Sequence, residues 1–213
     1  MKFEEAPRAQ GLYDPRHEHD ACGVGFVVDL KGRKSSSIVK NALEVLLNLQ
    51  HRGACGCEKN TGDGAGILMQ VPHRFLADAV GAIGITLPPA GHYGVGVVFL
   101  PADPGSRAAC EHLFEKVVRD EGQSFLGWRE VPTDNSMIGP TAKRSQPIIK
   151  QLFVGRHPSI TDDDAFERKL YVIRRRARHA VRRLDIPEKA SFYIASFSSR
   201  TIVYKGMLNC DQP

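Results

Sequence analysis

Apolar residues in this chain come only in short runs, and that limits its possible folds more than any other feature. The strongest are Gly23–Leu30, Val45–Leu49 and Val95–Leu100, each the length of a strand or of a helix stripe. None approaches the roughly 18–20 apolar residues that a membrane-crossing helix needs. Strand-like and helix-like patterns alternate over 213 residues, enough chain for one large domain or two small ones around a buried core. Hydrophobic residues at 42% and charged residues at 25% suit a globular protein and not a disordered one. The opening MKFEEAPRAQ has acids where a secretory signal has a basic cap and an apolar run. The expectation is a soluble, cytoplasmic chain with no membrane partner.

Residues 1–21 show no periodicity and read as an irregular leader. At Cys22 the pattern changes abruptly to CGVGFVVDL, which predicts a strand opening on a cysteine. Lys31 and Gly32 then make a turn. Ser35–Ser37 offers an N-cap for a helix reaching about Gln50, with Gly53 as its stop. Residues Gly53–Gly66 form a glycine-rich loop. Beyond it the patterns predict a strand at Ile67–Val71, a helix near His73–Ala82 and a strand at Tyr93–Leu100. A helix near Ser106–Glu121, a strand at Ser124–Val131, a loop over 132–146 and a strand at Ile148–Val154 follow. Thr161 and three aspartates mark the start of a helix. Its Leu170, Ile173, Ala177, Val181 and Leu184 recur at 3/4 spacing, and it must end before Pro187. Runs at Phe192–Phe197 and Thr201–Tyr204 flank Ser198–Arg200, which predicts a hairpin and argues against a purely parallel sheet.

The net charge of +5 is local. Between Arg168 and Arg183 stand eight basic residues and no acid, while the rest of the chain is net acidic. Without interleaved aromatics this reads as a solvated or domain-docking helix face, with no nucleic-acid partner. Five cysteines, an odd number, argue against a disulfide framework. Cys55 and Cys57 form a CxC pair, and His17, His19 and Cys22 a loose cluster, but neither has the spacing of a metal site. TGDGAG lacks the spacing of a phosphate-binding loop. Cys22 itself admits two readings. It can be a small buried residue at the start of a core strand. Alternatively, if the leader is cut after Ala21, it becomes an N-terminal cysteine. Its α-amine, with an ordinary pKa of about 7.7–8.0, would then serve as base for its own thiol.

Three strings carry a resemblance. GLYDPRHEHDACGVGFVVDLKG (Gly11–Gly32), LQHRGACGCEKNTGDGAGILMQVPHRF (Leu49–Phe75) and FYIASFSSRTIVYKGML (Phe192–Leu208) resemble, in order, the start of glutamate synthase large subunits. There the region is a class II glutamine amidotransferase domain of the N-terminal-nucleophile hydrolase type. The resemblance implies an α+β fold, a four-layer αββα sandwich of antiparallel sheets. It implies a leader over 1–21 and the N-terminal part of the amidotransferase domain over 22–213, with Cys22 as the nucleophile. Arg52, Gly53 and Asp63 follow as neighbours of the glutamine pocket. The implied reaction releases ammonia from glutamine through a cysteinyl thioester, for glutamate synthesis. No cofactor or metal is implied within these residues; FMN and an iron–sulfur cluster belong to the complete enzyme. Its partners would be glutamine, the remainder of the large subunit and, through the complete enzyme, a small subunit or an electron donor.

The family domain continues with HSRFSTNT-like and HNGE-like stretches, which supply the arginine for the substrate carboxylate and the Asn and Gly of the oxyanion hole. Neither string occurs here. The chain therefore reads as a fragment that stops inside its domain, inactive on its own. The alternative from a different class is a non-catalytic half-domain that acts as an interaction module.

Overall fold

The strand that organises the molecule is β2, Tyr93–Leu100, which is buried along nearly its whole length. A strand covered on both faces has no polar side to present, which is why YGVGVVFL is apolar throughout. The computed structural model describes residues 10, 11, 14, 23–50, 58, 60–62 and 64–212. Within these the elements run α1 Ser36–Asn48, β1 Ala65–Gln70, α2 His73–Gly81, β2, α3 Pro104–Asp120, β3 Ser124–Glu130, α4 Pro140–Arg144, β4 Ile148–Gly155 and α5 Asp163–Arg182. A short 3-10 turn at Lys189–Ser191 then leads to β5 Tyr193–Ser198 and β6 Thr201–Gly206.

The strands form two sheets, a four-stranded one in the order β3-β4-β2-β5 and a two-stranded one of β1 and β6. Every pairing between them is antiparallel. One face of the larger sheet, through Val98, Leu100, Leu152, Val154 and Ile194, packs on Phe114 of α3 and on Phe166, Leu170, Ile173, Ala177 and Val181 of α5. The other face, through Tyr93, Val95, Val97 and Phe153, packs on Ile202 of β6 and on Leu76 and Val80 of α2. Helix α1 lies against β1. The antiparallel α+β architecture is that of the N-terminal-nucleophile hydrolase fold, with a helix layer, two sheets and α1 beyond them.

Local chemistry accounts for the helix ends. Ser35 caps α1 by accepting from the Ile38 amide at 3.3 Å. Asp103 accepts from Ser106 at 2.7 Å ahead of α3, and Asp162 from Ala165 at 2.7 Å ahead of α5. Asp163 and Asp164 follow in the first turn of α5, where the helix dipole favours carboxylates. Across the helix layer, Glu121 after α3 takes Lys169 and Arg176 of α5, and this pair holds its carboxyl below the usual range, Arg176 most strongly.

Three expectations are corrected. Residues 23–29 are not a strand: Val24, Phe26, Val28 and Leu30 stand exposed, and the segment has no ladder partner among the described residues. Alternation alone does not make a strand; a neighbour's backbone must complete the hydrogen bonds. What fixes this segment is α1: a Cβ at Gly25 would lie 2.3 Å from Val45 Cγ1. Second, β5 and β6 are no hairpin. β5 pairs with β2 and β6 with β1, so the chain changes sheets at Ser198–Arg200. Glu167 of α5 grips that crossing, accepting from the Ser199 amide at 2.6 Å and the Ser198 hydroxyl at 3.0 Å. Third, the expected loop over 132–146 contains α4, whose Pro140 sits at its first turn. The expected helix stop at Gly53 lies outside the described residues.

The basic helix packs through its apolar stripe as expected, with Ile173 fully buried and Arg175 exposed. Ile173→Asp places an unpaired charge in the core and should cost about 3 kcal/mol or more. Arg175→Glu should change stability by less than about 1 kcal/mol. Urea denaturation of both variants checks this; comparable losses would contradict the packing assigned to α5.

Candidate active site

The residues singled out by sequence, Cys22, Arg52, Gly53 and Asp63, lie outside the described residues, as do Cys55 and Cys57. Their flanks are described. After Cys22 the chain runs along α1 to Asp29, whose carboxylate receives the Lys31 and Arg33 amides at 2.8 and 3.2 Å and pairs with the Arg33 guanidinium. Gly32, at φ +68°, closes the turn by donating its amide to the Asp29 carbonyl at 2.9 Å. This is the expected Lys31–Gly32 turn.

On the other flank, the glycine-rich string enters β1. Ala65 and Gly66 pair with Gly206 and Lys205 of β6. Gly66 must be glycine because a Cβ there would stand 2.7 Å from the Tyr204 carbonyl oxygen. Gly62 is equally confined, its missing Cβ falling 2.3 Å from the Leu208 carbonyl oxygen. Thr61 is buried and donates its hydroxyl to Glu58 at 2.8 Å. Glu58 also accepts from the Thr141 amide at 2.9 Å and the Thr141 hydroxyl at 2.5 Å. The Thr141 hydroxyl and amide, then the Thr61 hydroxyl, hold the Glu58 carboxyl below the usual carboxylate range. The Gly139 amide donates to the Asn60 carbonyl at 3.1 Å. Gly62 and Gly66 therefore serve close backbone approach. Sequence reading missed Glu58 and Thr141, because nothing local relates residues 83 positions apart.

Polar side chains also bridge the two sheets. Buried Gln151 of β4 donates to the Tyr204 hydroxyl at 2.6 Å and accepts from Arg129 at 2.8 Å. A surface cleft of about 380 Å³ lies at the far end of β1, with Lys34, Gln70, Val71 and Arg200 among its described lining residues. Among the described residues no three His, Cys, Asp or Glu side chains stand close enough to hold a metal ion. No described helix is long and apolar enough to cross a membrane.

The sequence profile of class II glutamine amidotransferases matches residues 22–212. The chain belongs to that family. The amidotransferase chain is 43% identical over 212 residues to the glutamate synthase [NADPH] large chain of Bacillus subtilis, a match covering 100% of this chain and 14% of that protein. It is 41% identical over 207 residues to the glutamate synthase [NADH] of Schizosaccharomyces pombe, covering 95% and 10%. Against the ferredoxin-dependent glutamate synthase 2 of Synechocystis it is 40% identical over 191 residues, covering 90% and 12%. The amidotransferase chain thus spans a small part of the length of these relatives.

Cys110 shows what an inert cysteine looks like here. Cys110 of α3 is fully buried, and burial, with Glu111 beside it, pushes its thiol up to about 11. At pH 7.5 it stays protonated and shielded, so iodoacetamide should leave it unmodified in the native protein and label it on unfolding. Peptide mass spectrometry of the alkylated protein checks this; native labelling of Cys110 as fast as a free thiol would contradict its burial.

Proposed function

We propose that this chain carries the glutaminase chemistry of a glutamate synthase, with Cys22 as nucleophile in an N-terminal-nucleophile mechanism. The observation that carries the reading is the family match, which begins at Cys22 and runs to residue 212. Residues 1–21 act as a leader whose removal frees the Cys22 amine, and residues 22–213 form amidotransferase domain structure. The amine takes the thiol proton. The thiolate then attacks the side-chain amide carbon of glutamine, forming the C–S bond. The ammonium so formed returns its proton to the departing nitrogen as the C–N bond breaks, which releases ammonia and leaves a γ-glutamyl thioester. Water, deprotonated by the same amine, attacks the thioester, and glutamate leaves as the thiol is restored. Arg52, Gly53 and Asp63 neighbour the glutamine pocket.

The arginine clamp and the oxyanion donors of the family sit in strings absent from these 213 residues, so the 213 residues alone are a poor glutaminase. Losing one oxyanion donor typically costs roughly 10²–10³ in rate. FMN and the iron–sulfur cluster serve a second site in other regions of the complete enzyme, and no step here passes through them. The named relatives use three different donors at nearly equal identity, which supports placing the choice of electron donor, and any small subunit, outside this segment. The reading includes a cytoplasmic location.

Cys22→Ser in the full-length protein should lower glutamine-dependent glutamate formation by at least about 10³-fold while sparing ammonia-dependent formation, since a hydroxyl is a far weaker nucleophile. Cys55→Ser and Cys57→Ser should keep most glutamine-dependent activity. Equal loss in all three variants would remove Cys22 from its role. The intact mass of the active protein should correspond to a chain starting at Cys22. Full activity with residues 1–21 still attached would sink the mechanism, because an acylated nitrogen cannot act as the base.

A further inference from the structure

Helix α5 buries one stripe and turns the opposite one outward. Arg168, Tyr171, Arg175, Arg178 and Arg182 recur there at 3/4 spacing, and all of them are exposed. Tyr171 is 59% exposed and Val172 beside it 40%. Other cations of the helix have partners: Arg168 pairs with Asp162, and Lys169 and Arg176 with Glu121. Arg175, Arg178 and Arg182 pair with no carboxylate among the described residues. The helix dipole accounts for Arg182, which stands in the last turn, but Arg175 and Arg178 lie further inside. Like charges three and four residues apart repel, and water only screens them.

The basic face continues onto the neighbouring strands. Tyr193 of β5 is 40% exposed. Its oxygen accepts from Lys205 of β6 at 2.8 Å, and the same ammonium lies 4.4 Å from the ring centroid. Lys205 first, then Arg174 and Arg178, hold the Tyr193 hydroxyl below its usual range. Arg174 also donates to the Ile194 carbonyl at 2.8 Å. Cations from α5 and β6 thus gather at one phenol whose O–H is left to donate outward.

We propose that this face, Tyr171, Arg175, Arg178 and Arg182 of α5 with Tyr193 and Lys205, docks an acidic surface of the same full-length polypeptide beyond residue 213. The chain covers 14%, 10% and 12% of the three relatives named above, so most of such a polypeptide lies outside it. A carboxylate takes two parallel bonds from a guanidinium and accepts from a phenol, which matches the donors present. Exposed tyrosine among arginines is the composition of protein interfaces. A second copy is a poor occupant, because it sets arginine against arginine. Asp164, the acid in line with this stripe, already pairs with Arg200. The proposal rests on the chain being a segment of a longer polypeptide and not on the Cys22 mechanism, so loss of the glutaminase reading leaves it standing.

The test is carbodiimide cross-linking of the full-length protein, read by peptide mass spectrometry on mixed isotope-labelled and unlabelled material. Arg178→Lys and Arg182→Lys keep the charge and introduce an amine that joins only to a carboxylate in contact. The expected product links position 178 or 182 to an Asp or Glu beyond residue 213 of the same polypeptide. Arg175→Glu combined with Arg178→Glu should then quicken deuterium exchange of the linked peptide at least about tenfold. Reversing the linked acid to lysine in that background should restore protection, which a merely structural role of the arginines does not explain. Absence of a link, or links confined to residues 1–213, overturns the proposal. Links between labelled and unlabelled chains alone make the occupant a second copy and overturn it too. So does binding of a labelled DNA duplex at about 0.15 M salt that Arg175→Glu with Arg178→Glu abolishes.

Discussion

The close approach of α5 to β2 is the constraint on which the rest of the structure depends. At Gly94 a Cβ would fall 2.6 Å from Leu170 Cδ1, so the helix rests on bare backbone. That contact seats Leu170, Ile173, Ala177 and Val181 on one face of the larger sheet. Each large apolar side chain buried there contributes roughly 1.5–3 kcal/mol. The arginines of the helix are left for the outer faces. Tyr171 and Val172 share that outer side, which shows how completely the inner stripe suffices for docking.

The same helix sets the relation between the sheets. Glu167 reaches from α5 to the Ser198–Ser199 crossing and holds it by its amide and hydroxyls. The chain leaving β5 is thereby turned away from its own sheet and delivered to β1 as β6. The pairing of β1 with β6 fixes the register of the glycine-rich string, and Ile202 seals the two sheets together. Gln151 and Tyr204 bond across the same layer at 2.6 Å. Each polar atom buried there would be costly without that partner, so the network favours one relative placement of the sheets.

Segments far apart in sequence are brought together by close backbone contact. The segment after Cys22 is held on α1 through Gly25, and the segment before β1 is held on α4 through Glu58 and Gly139. Neither anchor is a periodic element. Both rely on glycine to let another part of the chain come within van der Waals distance. Of the three described glycines of the Gly53–Gly66 string, Gly62 and Gly66 are required by the backbones of Leu208 and Tyr204, and Gly64 by its φ of +139°.

The sequence by itself determined the elements built on local period and local capping. Strand β2 begins and ends where its apolar run does, α5 carries the expected stripe, and Ser35 caps α1. These follow from neighbours within about one helical turn or one strand, so the information is local. The three quoted strings also determined the family, because they retain side chains at many fixed positions at once. Tertiary structure alone decided the rest. It placed β5 and β6 in different sheets, left Val24–Leu30 without a ladder partner among the described residues, and formed α4 inside an apparent loop. It also brought Glu58 to Thr141. In each case the deciding partner lies elsewhere in the chain: Glu167 for the crossing, Val45 for the segment at Gly25, Thr141 for Glu58. Alternation and composition report what a residue prefers to bury, whereas pairing is settled by which backbone arrives beside it, and that is a property of the whole fold.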